Sequence, residues 1–587
     1  MIFGKHINKY YLKFAHFFLL GIIALLVIDY IQLEIPEIIG VVIDGLEFKT
    51  LDYEQLISAI IKLGIIGVLM CIGRFTWRYC IFGTSIKIET CIRDDMFKHA
   101  ETLSQNYYSK NKTGAQMALY TNDLQTVRMA FGPGIVMLAD AVFLGIIAYV
   151  KMLKLDVTLA FLSLIPMLLI VVVGAIVSKF LNKKWEERQK AYGDLSDFVQ
   201  ENFSGISVIK AFVKETKELR QFLKYNKENV DKNVNFVKLS VLFDILLGTT
   251  ISVTMAVIVG FGGYLVYQNK MLGVGDFSIG QLTEYLAYFE SIIWPMMAIG
   301  QLISMKSQAG ASLKRINELL DEKSEVNDDL VLYPDAELSG DIEFNNLSFR
   351  YNEDLPYVLK NITFKINKGE HIGIIGRTGC GKTTIVDLLM RVYNVNKGEI
   401  KIGGYDIMEV PVVNVRNTVG YVPQDNFLFS DTIKSNIAFS KEEVNEFEVE
   451  EAAKYANVHE NIVDFPNKYE TILGERGVTL SGGQKQRVSI ARAFVKDSEI
   501  LVLDDSVSAV DTKTETTILA NLKEKRAGKT TIVIAHRIST IKDMDRIILL
   551  EDGELKAFDT HENLIKNSKI YRDMVELQRL EDEKEAM

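Results

Sequence analysis

Residues 371–389 read HIGIIGRTGCGKTTIVDLL, and the fold of the second half of the chain follows from them. An apolar strand runs into Gly376-Arg377-Thr378-Gly379-Cys380-Gly381-Lys382-Thr383, which fits G-x-x-x-x-G-K-[ST] in full. A helix beginning Thr383-Thr384-Ile385 opens directly after it, the context that the motif requires. Glycines let the backbone wrap phosphates, so that N–H groups and the helix N-terminus face the anion. Lys382 would then neutralise β/γ-phosphates, and the Thr383 hydroxyl would ligate Mg²⁺.

Outward from this loop, short β-rich runs alternate with helical segments: Val419–Gln424 (VGYVPQ), then EILVLDD at 499–505 and TTIVIAH at 530–536. That rhythm predicts a mostly parallel sheet with helices packed around it. The run Ile500–Asp504 is a buried strand ending in a carboxylate. Beside a phosphate loop, such a strand tip places Asp504 to hold Mg²⁺, usually through water.

The first half is of another kind. Val157–Ser178 is twenty-two residues without a charge, and Ile245–Tyr267 is equally clean. Four further stretches carry isolated charges: Phe14–Ile43, Leu56–Ile81, Pro133–Val150 and Gly275–Met305. Each can cross a hydrocarbon core of about 30 Å, so six membrane spans are expected. Connections at 45–54, 151–156 and 269–276 are short. Those at 83–131 and 179–238 are long and polar. Lys5, Lys9 and Lys13 favour a cytoplasmic N-terminus, which puts both long connections and the second half in the cytoplasm too. The first stretch is too long for a cleavable leader and is expected to stay as the first span. Arg74 and Arg78, near the inner end of the second span, suit side chains that reach lipid headgroups.

The chain has 587 residues, 48% hydrophobic and 24% charged, with nine prolines, which excludes a disordered or collagenous protein. Its mean hydropathy of +0.12 averages the two unlike halves. Cys71, Cys80, Cys91 and Cys380 show no paired metal spacing, against a zinc site or a disulfide framework. The net charge of −10 is mostly local, because eight acids and a single lysine fall between Asp321 and Asp341. That segment reads as a solvated linker, and no basic block suggests nucleic acid. The expected organisation is therefore multi-domain. An all-α six-helix membrane domain (1–320) leads through an acidic linker (321–340) to an α/β phosphate-loop domain (341–580) and a short tail (581–587).

Leu480-Ser481-Gly482-Gly483-Gln484 supplies the specific resemblance: the chain is similar to the ATP-binding-cassette (ABC) exporters, whose signature is LSGGQ. The resemblance covers about residues 10 to 580 and implies an ATPase that drives transport, with ATP and Mg²⁺ bound at Gly376–Thr384. It implies a head-to-tail dimer in which the signature residues act on the ATP of the other subunit. Tyr351 matches the aromatic that stacks on adenine. Gln424 matches the glutamine that senses Mg²⁺, and His536 the switch histidine at the γ-phosphate. Gly474-Glu475-Arg476-Gly477 resembles an exporter-specific loop, and Ser508–Asp511 the loop that crosses between nucleotide sites. Segments 113–123 and 201–212 are similar to those in which exporters place short coupling helices.

One position departs from the family pattern. Asp505 stands where a Glu normally orients the attacking water, and misplacement by about 1 Å can cost on the order of 10²-fold. The chain thus resembles the Asp-bearing subunit of heterodimeric bacterial multidrug exporters; a homodimer that tolerates Asp is the alternative. Lipid or peptide export, and uptake on the exporter fold, also stay open. The expected setting is the bacterial cytoplasmic membrane, and the expected cargo a small amphipathic compound. Asp29, Asp140, Asp244, Glu284 and Glu290 fall in or beside the spans, where carboxylates are costly, and are candidates to line its pathway. Cys380 lies inside the phosphate loop, where a bulky thiol adduct should obstruct nucleotide.

Overall fold

The computed structural model describes residues 5–474, 477, 479–508 and 510–585. They form two units, Met1–Glu101 with Lys112–Glu322, and Thr102–Asn111 with Lys323–Met587.

The first unit is helical throughout. Its long helices are α1 (Ala15–Glu47), α2 (Tyr53–Thr102), α3 (Thr113–Leu155), α4 (Val157–Ser204), α5 (Glu215–Leu272) and α6 (Ile279–Asp321). Five of these are long and apolar enough to cross a membrane. The sixth expected span, Val157–Ser178, lies on α4. There Val157–Pro166 forms a shorter apolar stretch, and seven side chains between 167 and 178 are outside the described set. The long polar connections are continuations of these helices. At 1.5 Å per residue, the 48-residue α4 runs about 70 Å, more than twice the thickness of a hydrocarbon core.

Local sequence sets where the helices start. Asp156 caps α4 by accepting from the Leu159 N–H at 2.7 Å. Ser278 and Gln281 form a reciprocal capping box on α6, as Asp52 and Gln55 do on α2. Gly273 and Gly275, at φ +66° and +85°, turn the chain between α5 and α6. The core gathers Leu144, Met152, Leu159, Ile258, Tyr285, Tyr288 and Phe289. The stretch Tyr53–Arg78 of α2, by contrast, buries no residue. An apolar surface left outside a core this way is expected where lipid or another subunit takes the place of water.

The second unit carries two sheets. Strands β1 (Ile342–Phe349), β2 (Leu359–Ile366), β4 (Ile400–Ile402) and β5 (Tyr405–Asp406) form an antiparallel sheet in the order β2-β1-β4-β5. The larger sheet contains β3 (His371–Gly376), β6 (Val419–Val422), β7 (Ile500–Asp504), β8 (Thr530–Ile534), β9 (Arg546–Glu551) and β10 (Glu554–Asp559). Its order is β10-β9-β3-β8-β7-β6, parallel except for the edge strand β10. Every residue of β3, β7 and β8 is buried, because both faces of the sheet are covered.

The acidic side chains between Asp321 and Asp341 are mostly exposed, while the backbone of the segment is fixed. Its backbone is held on the second unit: Leu332 and Tyr333 donate to the Glu409 carbonyl, and the buried Arg391 donates to that of Asn327 at 2.8 Å. Asn394 donates to the Glu325 carbonyl at 2.6 Å, and the Asp328 carboxylate accepts the Val412 N–H at 2.9 Å. Composition reports the charge of these side chains, whereas the fixing bonds are largely made by main-chain groups.

Candidate functional site

Parallel strands align their C-terminal ends, and here those ends carry the candidate residues. β8 lies between β3 and β7, and β6 flanks β7. The segments leaving β3, β8, β7 and β6 therefore bring Gly376–Thr384, His536, Asp504–Asp505 and Gln424 to one edge. Ligands of open α/β sheets bind outside the carboxyl ends of the strands.

The loop after β3 needs its glycines. Gly379 and Gly381 stand at φ +83° and +98°, where side chains are strained, and Gly381 leads into helix α7 (Lys382–Leu389). Lys382 is buried and donates to the loop carbonyls of Gly376 at 2.9 Å and Arg377 at 3.2 Å. Thr383 Oγ1 donates to Asp504 Oδ2 at 2.8 Å, and Tyr421 reaches the same oxygen at 3.4 Å. Burial raises the Asp504 carboxyl above the ordinary range, against the lowering effect of these two bonds. A hydroxyl and a buried carboxylate in contact form a hard-oxygen pair suited to Mg²⁺.

Tyr351 is tied to α7 by a 2.8 Å bond between its hydroxyl and Thr384 Oγ1, and packs edge-on against Phe349 and Tyr393. Its ring stays partly exposed, as a stacking surface requires. Arg377, Thr378, Gln424 and His536 are exposed. Asp505 has a left-handed backbone at φ +46°, with its N–H on the Ile534 carbonyl at 2.9 Å. Cys380 is buried in the loop, and burial pushes its thiol above the ordinary value, which lowers its reactivity toward a thiol reagent.

The signature residues are organised separately. Ser481 caps helix α8 (Gly482–Lys496), accepting from the Gln484 N–H at 3.3 Å while Gln484 Oε1 accepts from the Ser481 N–H at 2.9 Å. Leu480 is buried beneath this capping box, and Gly482 and Gly483 form the first turn. Asp511 caps helix α9 (Thr512–Lys525) through the Thr514 N–H at 3.0 Å, which holds its carboxyl below the ordinary range. Glu475, Arg476 and Ala509 lie outside the described residues.

Two residues at this edge have no motif. Asp387, on α7, is partly buried, and burial together with the charge of Asp504 pushes its carboxyl up to about 6. Gln578, on the C-terminal helix α10 (Lys569–Glu585), grips the backbone around His536. Its amide donates to the His536 carbonyl at 2.5 Å and accepts from the Ile538 N–H at 2.7 Å.

The five membrane acids separate. Asp29, Asp140 and Glu290 line one cavity. Glu284 is buried elsewhere and accepts from the Tyr288 hydroxyl at 2.8 Å, and Asp244 is exposed on α5. These two do not line that cavity. Arg74 and Arg78, both exposed, also border the cavity.

Comparison with known proteins agrees with both halves. Residues 18–296 match the family model of the ABC transporter transmembrane region, and residues 359–508 match that of the ABC transporter. A Bacillus subtilis protein named "Probable multidrug resistance ABC transporter ATP-binding/permease protein" is 35% identical, over 98% of this chain and 97% of its own. A multidrug resistance-like ATP-binding protein of Escherichia coli is 33% identical, over 96% and 94%. The solved structure of a bacterial Atm1-family ABC exporter with ATP bound superposes with a TM-score of 0.79 at 25% identity, covering 95% of this chain and 98% of that one.

Proposed function

This chain belongs to the ABC transporter family, an ATPase coupled to transport across a membrane, and on that premise we propose that it exports amphipathic compounds as half of a dimer. The observation that carries the reading is the Thr383–Asp504 contact at the mouth of the glycine loop, in a chain that also carries the membrane helices. The multidrug names of its relatives support the cargo class. The cytoplasmic membrane is the proposed location, with the N-terminus and the ATPase unit on the cytoplasmic side.

In this mechanism the amides of the Gly379–Gly381 loop and the Lys382 ammonium bind the phosphates of ATP, and the Tyr351 ring carries its adenine. Thr383 and Asp504 would hold Mg²⁺, which when bound neutralises β- and γ-phosphate charge, and Gln424 at the end of β6 would sense it. His536 contacts the γ-phosphate, and Asp505 occupies the position that orients the attacking water. Ser481 and Gly483 act on the ATP of the other subunit, whose approach the preformed first turn of α8 leaves open. Asp505 is one methylene short for its task, so the site on this chain is slow and the partner is a different half-transporter bearing Glu there.

Inside-out vesicles holding the assembled transporter test the reading. ATP, but not a non-hydrolysable analogue, should drive accumulation of a fluorescent cationic dye. No ATP-dependent accumulation, or accumulation only in right-side-out vesicles, overturns it.

A further inference from the structure

Ala535 and Ile538, on either side of the segment that carries His536, are buried, while the His536 side chain is exposed. Among the described residues the imidazole forms no hydrogen bond or ion pair, so the backbone beneath it sets where it points.

The two sides of that backbone are fixed by different means. Before His536, the chain leaves β8 with the Ala535 N–H on the Ile374 carbonyl of β3 at 3.2 Å, a continuation of the sheet. After it, the chain enters a single helical turn, Ile538–Ile541, whose cap residue Arg537 supplies no side-chain bond. The first N–H groups of such a turn have no partner within it. Gln578 supplies one from 40 residues away. Its Oε1 accepts from the Ile538 N–H at 2.7 Å, and its Nε2 donates to the His536 carbonyl at 2.5 Å.

The helix that carries Gln578 is anchored along one face. Tyr571 is fully buried, with its hydroxyl 2.7 Å from His561 Nδ1, and Met574 and Val575 pack against the same core as Ala535, Ile538 and Ile541. Tyr571, Met574 and Gln578 follow the spacing of a single helical face. The core contacts of α10 thus hold the amide at the loop, and its two polar bonds turn that packing into a fixed backbone at His536.

We propose that Gln578 is a positioning residue: it holds the His536 imidazole in the pose that meets a γ-phosphate, so that α10 sets how well this chain's site tells ATP from ADP. The inference rests on the reading of His536 as the γ-phosphate contact. Gln578 touches no part of the nucleotide and acts only through His536.

The test uses the assembled full-length transporter, with this chain labelled by 8-azido-ATP on ice and the label displaced by ATP or by ADP. His536→Ala should weaken ATP about tenfold relative to ADP, the worth of a hydrogen bond to a charged group. Gln578→Leu should weaken ATP about threefold to tenfold and leave ADP unchanged, since ADP has no γ-phosphate to lose. Adding Gln578→Leu to His536→Ala should cost nothing further, because an absent imidazole cannot be misaimed. Should the Leu variant lose ADP affinity as well, Gln578→Glu decides, since it keeps the acceptor for Ile538 and removes the donor to His536. A lowered ATP-to-ADP preference in the Glu variant then supports the proposal, and an unchanged one overturns it. With ADP affinity intact, an unchanged preference in Gln578→Leu beside a lowered one in His536→Ala overturns the proposal and leaves the reading of His536 standing. Additive losses in the double variant do the same. A preference that His536→Ala leaves unchanged overturns the reading of His536 at the γ-phosphate, and the proposal with it.

Discussion

Asp387 shows at the scale of one residue what burial does to a charge. Its carboxyl stands at about 6, raised first by burial and then by Asp504, against an ordinary value of 3.8. The folded chain therefore keeps a proton that the unfolded chain has already lost over this interval. Stability from that proton is complete below about pH 4 and lost as pH rises through about 6. Asp387→Asn keeps the shape and removes the charge. Chemical denaturation of the solubilised full chain should find the variant more stable at about pH 7.5, by on the order of 1–3 kcal/mol, and no different near pH 4. Parallel stability curves for the two proteins across this range would refute the assignment. No motif marks Asp387, because a lone acid in TTIVDLL reads as the solvated face of a helix.

Among the elements, α10 has a task beyond closing the domain. Gln578 holds the backbone on both sides of Arg537, so the carbonyl of His536 and the N–H of Ile538 are fixed by one side chain. Replacing it by Leu removes both bonds while keeping bulk. At about 1 kcal/mol per bond, local opening of this loop should become about fivefold to thirtyfold more frequent. Amide hydrogen exchange in the peptide spanning 536–541 should rise accordingly, while peptides of β3 and β7 keep their protection. Unchanged exchange at 536–541 would show that packing alone holds the loop. The short helix Ile206–Ala211 gives the complementary case: it buries no residue, and Phe203 and Phe212 beside it are largely exposed. An isolated apolar surface of this kind fits a segment that rests on a cassette.

At the scale of the whole molecule, two exposed features are ones that a second subunit would complete. The signature turn of α8 commits Ser481 and Gln484 to each other, and the Tyr53–Arg78 stretch of α2 has no buried residue. On the proposal that Asp505 sits at a slow site and Ser481 serves the competent one, the two substitutions should have unequal effects. Asp505→Asn should cost the assembled pair little ATPase activity, whereas Ser481→Arg should remove most of it. A large loss from Asp505→Asn with little from Ser481→Arg would exchange the two sites, whereas large losses from both would favour the homodimeric alternative.

The sequence by itself determined what depends on local order and on apolar length. A glycine loop between strand and helix, a signature turn before α8, and apolar runs long enough for a bilayer are properties of contiguous residues. The tertiary structure decided what depends on approach between distant segments. It joined Asp29, Trp77, Asp140, Glu290 and Trp294 around one cavity from four helices, a cavity that Asp244 and Glu284 do not line. It fixed the acidic segment to the second unit through main-chain bonds, and brought Gln578 onto the His536 loop across 42 residues. Hydrophobic periodicity reports which face of an element leaves water. It carries no information about which other element meets that face, and carboxylate partners, cavity walls and loop clamps are made by that meeting.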